Sequence, residues 1–257
     1  MKIGMPQLFE YDNIIDNLEL AKSLDLDFIE LNLNFSNTRW EMEHNSLKEL
    51  FARYNIEATL HFYDEADFGS YDEVVGAYLI LLERYLKLGK DYIKQLNIHL
   101  IPGPVVTIAG IKNYIYEKEY DEYLKRLLTN LSKTKTICDK YNINLVIENT
   151  DLIPNYEINV YDVLKQKGFR FCYDIGHDYL SSFIIKNNLD KLELPFDEFH
   201  IHDGASNKCH LALSEGQIDF SSFLDLIKIN DSYVVLEVKQ KSDLIKSVPI
   251  FKSLIKK

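Results

Sequence analysis

Short runs rich in Val, Ile, Leu, Phe and Tyr recur along the chain at intervals of roughly 25 to 45 residues, and between them apolar residues return every three or four positions. The first pattern predicts strands and the second predicts helices. The runs fall at 2–5, 27–33, 56–62, 93–100, 143–149, 169–175, 196–202 and 233–238. Among the helical segments, 11–25 interleaves Ile14, Ile15, Leu18, Leu20 and Ala21 with polar residues, and 70–90 and 115–141 carry longer stretches of the same spacing. Eight strands, most followed by a helix, predict an α/β fold, a single (β/α)8 TIM barrel. A doubly wound open sheet usually has fewer strands and a Gly-rich first turn, and no G-x-G-x-x-G occurs here. The stretches 101–104 (Ile-Pro-Gly-Pro) and 203–218 read as long loops on one rim. No repeat, low-complexity tract or linker interrupts the pattern, so 1–257 is expected to form one domain.

Composition adds constraints on partners. The apolar share of 46% supports a sizeable core. A net charge of −11, from 29 basic and 40 acidic residues, repels phosphate backbones and counts against nucleic acid. No run approaches the roughly 18 to 20 apolar residues that span a bilayer. The opening Met1-Lys2-Ile3-Gly4-Met5-Pro6 has no secretory pattern, so a cytoplasmic location is expected. Cys138, Cys172 and Cys209 lack paired C-x-x-C spacing and read as reduced thiols. Self-association into a homo-oligomer stays open.

In a barrel of this kind the active site lies at the C-terminal ends of the strands. Six of the seven histidines fall at or just beyond such ends: His61, His99, His177, His200, His202 and His210, with His44 as the exception. Glu148, Asp174 and Glu237 end the fifth, sixth and eighth runs. Any one histidine is readily a satisfied rim residue, but a convergent set carries a high desolvation cost unless it meets a cation or a polar substrate. A His/Asp/Glu set without Cys suits Mn²⁺, Zn²⁺, Co²⁺, Fe²⁺ or Mg²⁺. Strand period two puts His200 and His202 on one face. Gly176 is expected to turn the backbone so that Asp174 faces the barrel and His177 leans over the mouth. Asp203, Asp178 or Glu215 could accept from the second ring nitrogen of a histidine ligand. Glu30 and Lys239 are further candidates for the mouth.

The segments Val146-Ile147-Glu148-Asn149-Thr150, Asp174-Ile175-Gly176-His177, His200-Ile201-His202-Asp203, Ser214-Glu215-Gly216-Gln217-Ile218-Asp219-Phe220 and Leu236-Glu237-Val238 resemble the xylose isomerase-like barrel superfamily. That superfamily holds sugar (phosphate) isomerases and epimerases, inosose dehydratases, hydroxypyruvate isomerases and endonuclease IV-type abasic-site nucleases. The resemblance implies a divalent metal, Mn²⁺, Co²⁺ or Zn²⁺, held by Glu148, Asp174, His200 and Glu237. His61 and His99 match histidines that hold a second metal in the nuclease branch together with the glutamate at position 148. His177 and His210 match two ligands of that branch's third metal, whose remaining aspartate is replaced here by Lys208.

Two enzymatic readings follow. An isomerase or epimerase acting on a small-molecule carbohydrate would use Glu148 and Glu237, expected on roughly opposite sides of the mouth, to move a carbon-bound proton through a metal-stabilised enediolate. A nuclease would use the same cations on a phosphodiester but needs a basic groove, and the rim offers only the scattered Arg39, Lys112 and Lys208. The acidic balance and the lost aspartate favour the isomerase. A metal-binding barrel without catalysis is the third reading, disfavoured by the two glutamates. No nucleotide-binding motif is present. The segment 115–141 reads as a solvated outer helix, and Phe35 with Trp40 as an apolar wall over a sugar ring.

Overall fold

The computed structural model describes residues 1–256. Eight parallel strands close a barrel: β1 (Lys2–Pro6), β2 (Phe28–Asn32), β3 (Glu57–His61), β4 (Ile93–Leu100), β7 (Asn144–Asn149), β8 (Arg170–Asp174), β9 (Phe196–Ile201) and β12 (Tyr233–Leu236). β1 and β12 complete the ring through Lys2 opposite Tyr233 and Ile3 opposite Val234. The eight barrel strands lie where the apolar runs predicted them. Two hairpins add to the predicted strands: β5 (Val105–Ile108) with β6 (Ile111–Tyr114), directly after the 101–104 loop, and β10 (Asp203–Ala205) with β11 (Lys208–Leu211), within the stretch 203–218 read as a loop. β10 and β11 are short, polar and punctuated by Gly204, which hides them from an apolar-run reading, whereas β5 and β6 carry Val105, Val106, Ile108 and Ile111 on an exposed ribbon outside the core.

Between the strands run α1 (Ile14–Ser23), α2 (Ser36–His44), α3 (Leu47–Tyr54), α4 (Asp72–Gly89), α5 (Ile115–Lys118), α6 (Tyr120–Lys140), α7 (Asn155–Gln166), α8 (Ile175–Leu180), α9 (Leu189–Leu192), α10 (Leu224–Ile229) and α11 (Lys241–Leu254). Capping explains the N-terminal boundary of α1: Asn13 Oδ1 accepts the Asp16 N–H at 2.8 Å, so the helix predicted over 11–25 starts at Ile14. The segment 115–141 is two helices, broken at Glu119, whose ψ of 37° leaves the helical range. It is not a wholly solvated helix, because α6 buries Tyr123, Leu127, Leu131 and Cys138 against the barrel side. Half of its pattern is core.

Strand alternation sorts the residues into two shells. Outward side chains such as Phe171, Tyr173 and Phe199 pack under the helices, with Tyr173 stacked on Phe196. Inward side chains change character along the barrel axis. At the floor Phe28 fills the space left by Gly4, where a Cβ would sit 2.5 Å from its ring. Above it the lumen turns polar, with Glu30, Thr59, Gln95, Asn97, Glu198 and His200 all buried. Such a lumen is costly to build without a ligand to hold.

Candidate metal centre

Glu148 is the penultimate residue of β7, Asp174 ends β8, His200 lies on β9 and Glu237 follows β12, and one ligand atom from each lies within 4.8 Å of all the others. His200 Nδ1 is 3.1 Å from Glu148 Oε1, 3.1 Å from Glu237 Oε2 and 3.8 Å from Asp174 Oδ2. Metal–donor bonds of about 2.0 to 2.2 Å set neighbouring donors about 2.8 to 3.6 Å apart, according to whether the ion is six- or four-coordinate. The two 3.1 Å spacings fall in that range, and the 3.8 Å spacing to Asp174 lies just outside it. Three carboxylates and one imidazole, all buried, therefore fit a divalent ion of borderline hardness.

Asp174 is aimed by its surroundings. Its backbone N–H donates to Asn149 Oδ1 and its carbonyl accepts from Asn149 Nδ2, each at 2.9 Å, while its side chain caps α8 through the His177 N–H. Gly176 does not supply a sharp turn as expected, since it is helical. It supplies clearance: a Cβ there would lie 1.9 Å from the His202 ring. The two glutamates are closer together than expected. Only β8 and β9 separate their strands, and both carboxylates reach the same imidazole nitrogen.

Electrostatics follow from this crowding. Burial would raise the Glu148 carboxyl, but His200 and His99 hold it well below the usual range. Burial acts the same way on Glu237, and Lys239 and His200 overcome it. Asp174 is lowered against burial by His177 and His202. Burial would discharge His200, but Cys172 and the carboxylates of Glu148, Glu30 and Glu237 keep it protonated well above its ordinary range. Without a metal, the imidazolium is the counter-ion of the carboxylates.

The remaining histidines form two further groups with ligand atoms within 4.8 Å: His61, His99 and Glu148, and His177, His202 and His210. His61 Nε2 and His99 Nε2 lie 3.4 and 3.7 Å from Glu148 Oε2. Burial opposes the charge on His61, yet Glu148 and Glu30 push it up to about 10, whereas burial lowers His99. In the other group His202 has both nitrogens engaged: Nδ1 accepts the His210 N–H at 2.8 Å and Nε2 lies 3.1 Å from Asp174 Oδ1. A backbone N–H can only donate, so Nε2 carries the proton and donates to Asp174. His177 and His210 line the mouth.

Other expectations need correction. His202 takes Asp174 as its acceptor, and the nominated Asp203, Asp178 and Glu215 serve elsewhere. Asp203 accepts the N–H groups of Gly204, Ser214, Gly216 and Ile218 and folds the rim loop. Asp178 is bound by the Tyr173 hydroxyl and the Ile185 and Lys186 N–H groups. Glu215 pairs with Lys246 on the surface. Trp40 is exposed and stacked on His44, Phe35 packs with Phe9, and neither lines the mouth. Glu30 lies below His200, and Lys239 Nζ holds Glu237 Oε1 at 2.6 Å.

The mouth is a cleft of about 680 Å³ that also takes in Asp64, Glu65, Asp67 and Asp151, and Lys239 is its one Lys or Arg among the described residues. These acids lie in the loops past the strand ends, beyond the residues that the strand-end pattern singles out. Glu198, Gln95 and Asn97 were also missed, although period two from His200 and His99 marks all three as inward.

Comparison with known proteins bears on this arrangement. Residues 18–254 match the profile of the xylose isomerase-like TIM barrel family. An inosose isomerase of Bacillus velezensis is 24% identical over 222 residues, spanning 84% of this chain and 68% of that protein. A D-tagatose 3-epimerase-like protein superposes with a TM-score of 0.76 at 21% identity, covering 100% of this chain and 97% of the other. The IOLI protein with a binding zinc atom superposes at 0.74 with 14% identity, covering 100% and 95%. By sequence and by fold, this chain belongs to the xylose isomerase-like TIM barrel family.

Proposed function

We propose that the protein is a divalent-metal-dependent isomerase or epimerase of neutral sugars or inososes, with Glu148, Asp174, His200 and Glu237 as ligands and Glu148 and Glu237 as the proton-transfer groups. The single observation that carries this is the convergence of both glutamates on His200 Nδ1 at 3.1 Å. The bound ion would supply Lewis-acid stabilisation of negative charge developing on the substrate's oxygens.

Each glutamate turns one oxygen to the shared point and keeps the other for a different task. Glu148 Oε2 faces His61 and His99 and accepts the Asn97 amide. Glu237 Oε1 faces Lys239 and His210. A proton taken from the substrate carbon by either carboxylate can be held at that second oxygen beside His99 or His210, whose imidazoles burial holds below their ordinary range, and returned to the same or the neighbouring carbon. His99, His177 and His210 at the mouth are suited to bind sugar hydroxyls. Four acids around the cleft repel a phosphate group, which supports an uncharged substrate. The relatives' names, inosose isomerase and D-tagatose 3-epimerase-like protein, support the same substrate chemistry.

The His61, His99 and Glu148 group favours a second reading, abasic-site hydrolysis with an additional metal. The acidic mouth weighs against it. One experiment separates the two: metal-loaded protein is incubated in deuterated water with free ketoses, inososes and their phosphates, and separately with an abasic-site duplex. Deuterium is expected on carbon next to a carbonyl of an unphosphorylated substrate, lost in Glu237→Gln. Efficient nicking of the duplex dependent on His61 and His99 would overturn the isomerase reading.

A further inference from the structure

The polar layer beneath the ligands has no role in the reading above, and its geometry is specific. His200 presents Nδ1 to Glu148, Glu237 and Asp174, and turns Nε2 down into the lumen. There the nearest carboxylate oxygen is Glu30 Oε1 at 3.4 Å, followed by Glu198 Oε1 at 3.9 Å. Each of these carboxylates is tied by its other oxygen: Thr59 Oγ1 donates to Glu30 Oε2 at 3.4 Å, and Gln95 Nε2 donates to Glu198 Oε2 at 2.7 Å. The oxygens left over both point at Nε2, and Glu198 Oε1 has no other partner. Asn97 Nδ2 is 3.5 Å from Nε2 but donates to Glu148 Oε2 at shorter range.

We infer that Glu30, backed by Glu198, is the positioning residue of the metal centre: it accepts the Nε2–H of His200 and so fixes Nδ1 as the coordinating nitrogen. This rests on the metal site proposed above. An imidazole that coordinates through Nδ1 keeps its one proton on Nε2, and in a closed lumen that proton needs an acceptor. Apolar packing, the usual content of a barrel at this level, would leave it unpaired. Glu30 and Glu198 come from β2 and β9, strands separated in the ring by β1 and β12, and each leaves one oxygen facing the same imidazole nitrogen. The arrangement also limits rotation of the ring about χ2, because a flipped ring would lose both its metal-facing nitrogen and its acceptor.

The test measures zinc affinity by competition with a chelator in the wild-type protein, Glu30→Leu, Glu30→Gln and Glu198→Gln, together with long-range ¹⁵N NMR of histidine-labelled protein. Glu30→Leu is expected to bind zinc about 10- to 100-fold more weakly, the range seen when such outer partners are removed. Glu30→Gln, which keeps an acceptor oxygen, should recover part of the loss, a graded rescue that a general packing defect would not give. The NMR spectrum of zinc-loaded wild-type protein should show His200 protonated at Nε2. Unchanged affinity in Glu30→Leu, or coordination through Nε2, would overturn the inference while leaving the metal site intact. Wild-type protein that binds no zinc would instead overturn the metal site itself, and this inference with it. Circular dichroism of the metal-free variants checks folding, and Glu198→Gln provides a milder perturbation of the same layer should Glu30→Leu fail to fold.

Discussion

Replacing Gly176 by alanine probes the link between α8 and the candidate centre. The backbone at Gly176 is helical, so the substitution carries no conformational strain of its own and gains about 1 kcal/mol of helix propensity. The new methyl would stand 1.9 Å from Cε1 and 2.2 Å from Nδ1 of His202, against an ordinary contact of 3.4 Å or more. The ring must retreat by about 1.5 Å, because a packed interior has no slack to absorb the overlap. A retreat of that size cannot preserve both the 3.1 Å contact to Asp174 and the 2.8 Å bond from the His210 N–H. A hydrogen bond to a charged group contributes about 1.5 to 3 kcal/mol and a neutral one about 0.5 to 1.5. After the helix gain is subtracted, Gly176→Ala should lose about 1 to 3 kcal/mol, read as a lower urea midpoint at constant m. Metal affinity should fall as well, since Asp174 loses one of the groups that hold its carboxylate. Gly76→Ala is the matched control, a helical glycine of α4 with nothing within 4 Å of the added carbon. If Gly176→Ala unfolds within 0.5 kcal/mol of wild type and binds metal equally well, the assignment of His202 as one of the groups that hold Asp174 is wrong.

Gly76→Ala should itself stabilise the protein by about 0.5 to 1 kcal/mol in the same urea titration, through helix propensity alone. Glu157, on α7, is fully buried with neither carboxyl oxygen partnered, and burial, with Asp67 adding to it, holds it well above the ordinary range. A folded-state value above the unfolded one means stability is present at low pH and lost as pH rises from about 4.3, by up to about 1.4 kcal/mol per unit, until the folded value is passed. Glu157→Gln should therefore be more stable than wild type at neutral pH, with a gap that closes on acidification; a pH-independent gap would refute this. Lys239→Met removes the cation bound to Glu237 Oε1 and should lower turnover while leaving metal stoichiometry unchanged, as measured by exchange rates and elemental analysis.

The barrel was legible because parallel strands buried on both faces read as nearly continuous apolar runs, as in Phe28–Asn32 and Asn144–Asn149. The site was legible because its reactive residues sit at the ends of those runs, where a packing role does not call for them. The layer beneath is less legible: Gln95, Asn97 and Glu198 stand singly inside otherwise apolar strands, and only their two-residue spacing from His99 and His200 marks them as inward. Roles that depend on three-dimensional approach were misassigned. Gly176 looked like a turn residue because the sequence does not show the His202 ring above it, and Asp203 looked like a histidine's acceptor because its four backbone donors come from as far as fifteen residues away. Of the rim hairpins, β10 with β11 is too short and polar to carry a strand signal, whereas Val105, Val106, Ile108 and Ile111 of β5 and β6 do form an apolar run, one that stays exposed on the rim instead of joining the barrel.

Whether Glu148, Asp174, His200 and Glu237 bind one ion together is measured most directly by elemental analysis after equilibration with Mn²⁺, Co²⁺ or Zn²⁺ and removal of free metal. Wild-type protein should retain at least one equivalent per chain, and the Asp174→Ala/His200→Ala double variant should retain at least one equivalent less. Equal metal content in the two proteins, or less than a stoichiometric amount in wild type, would contradict the assignment.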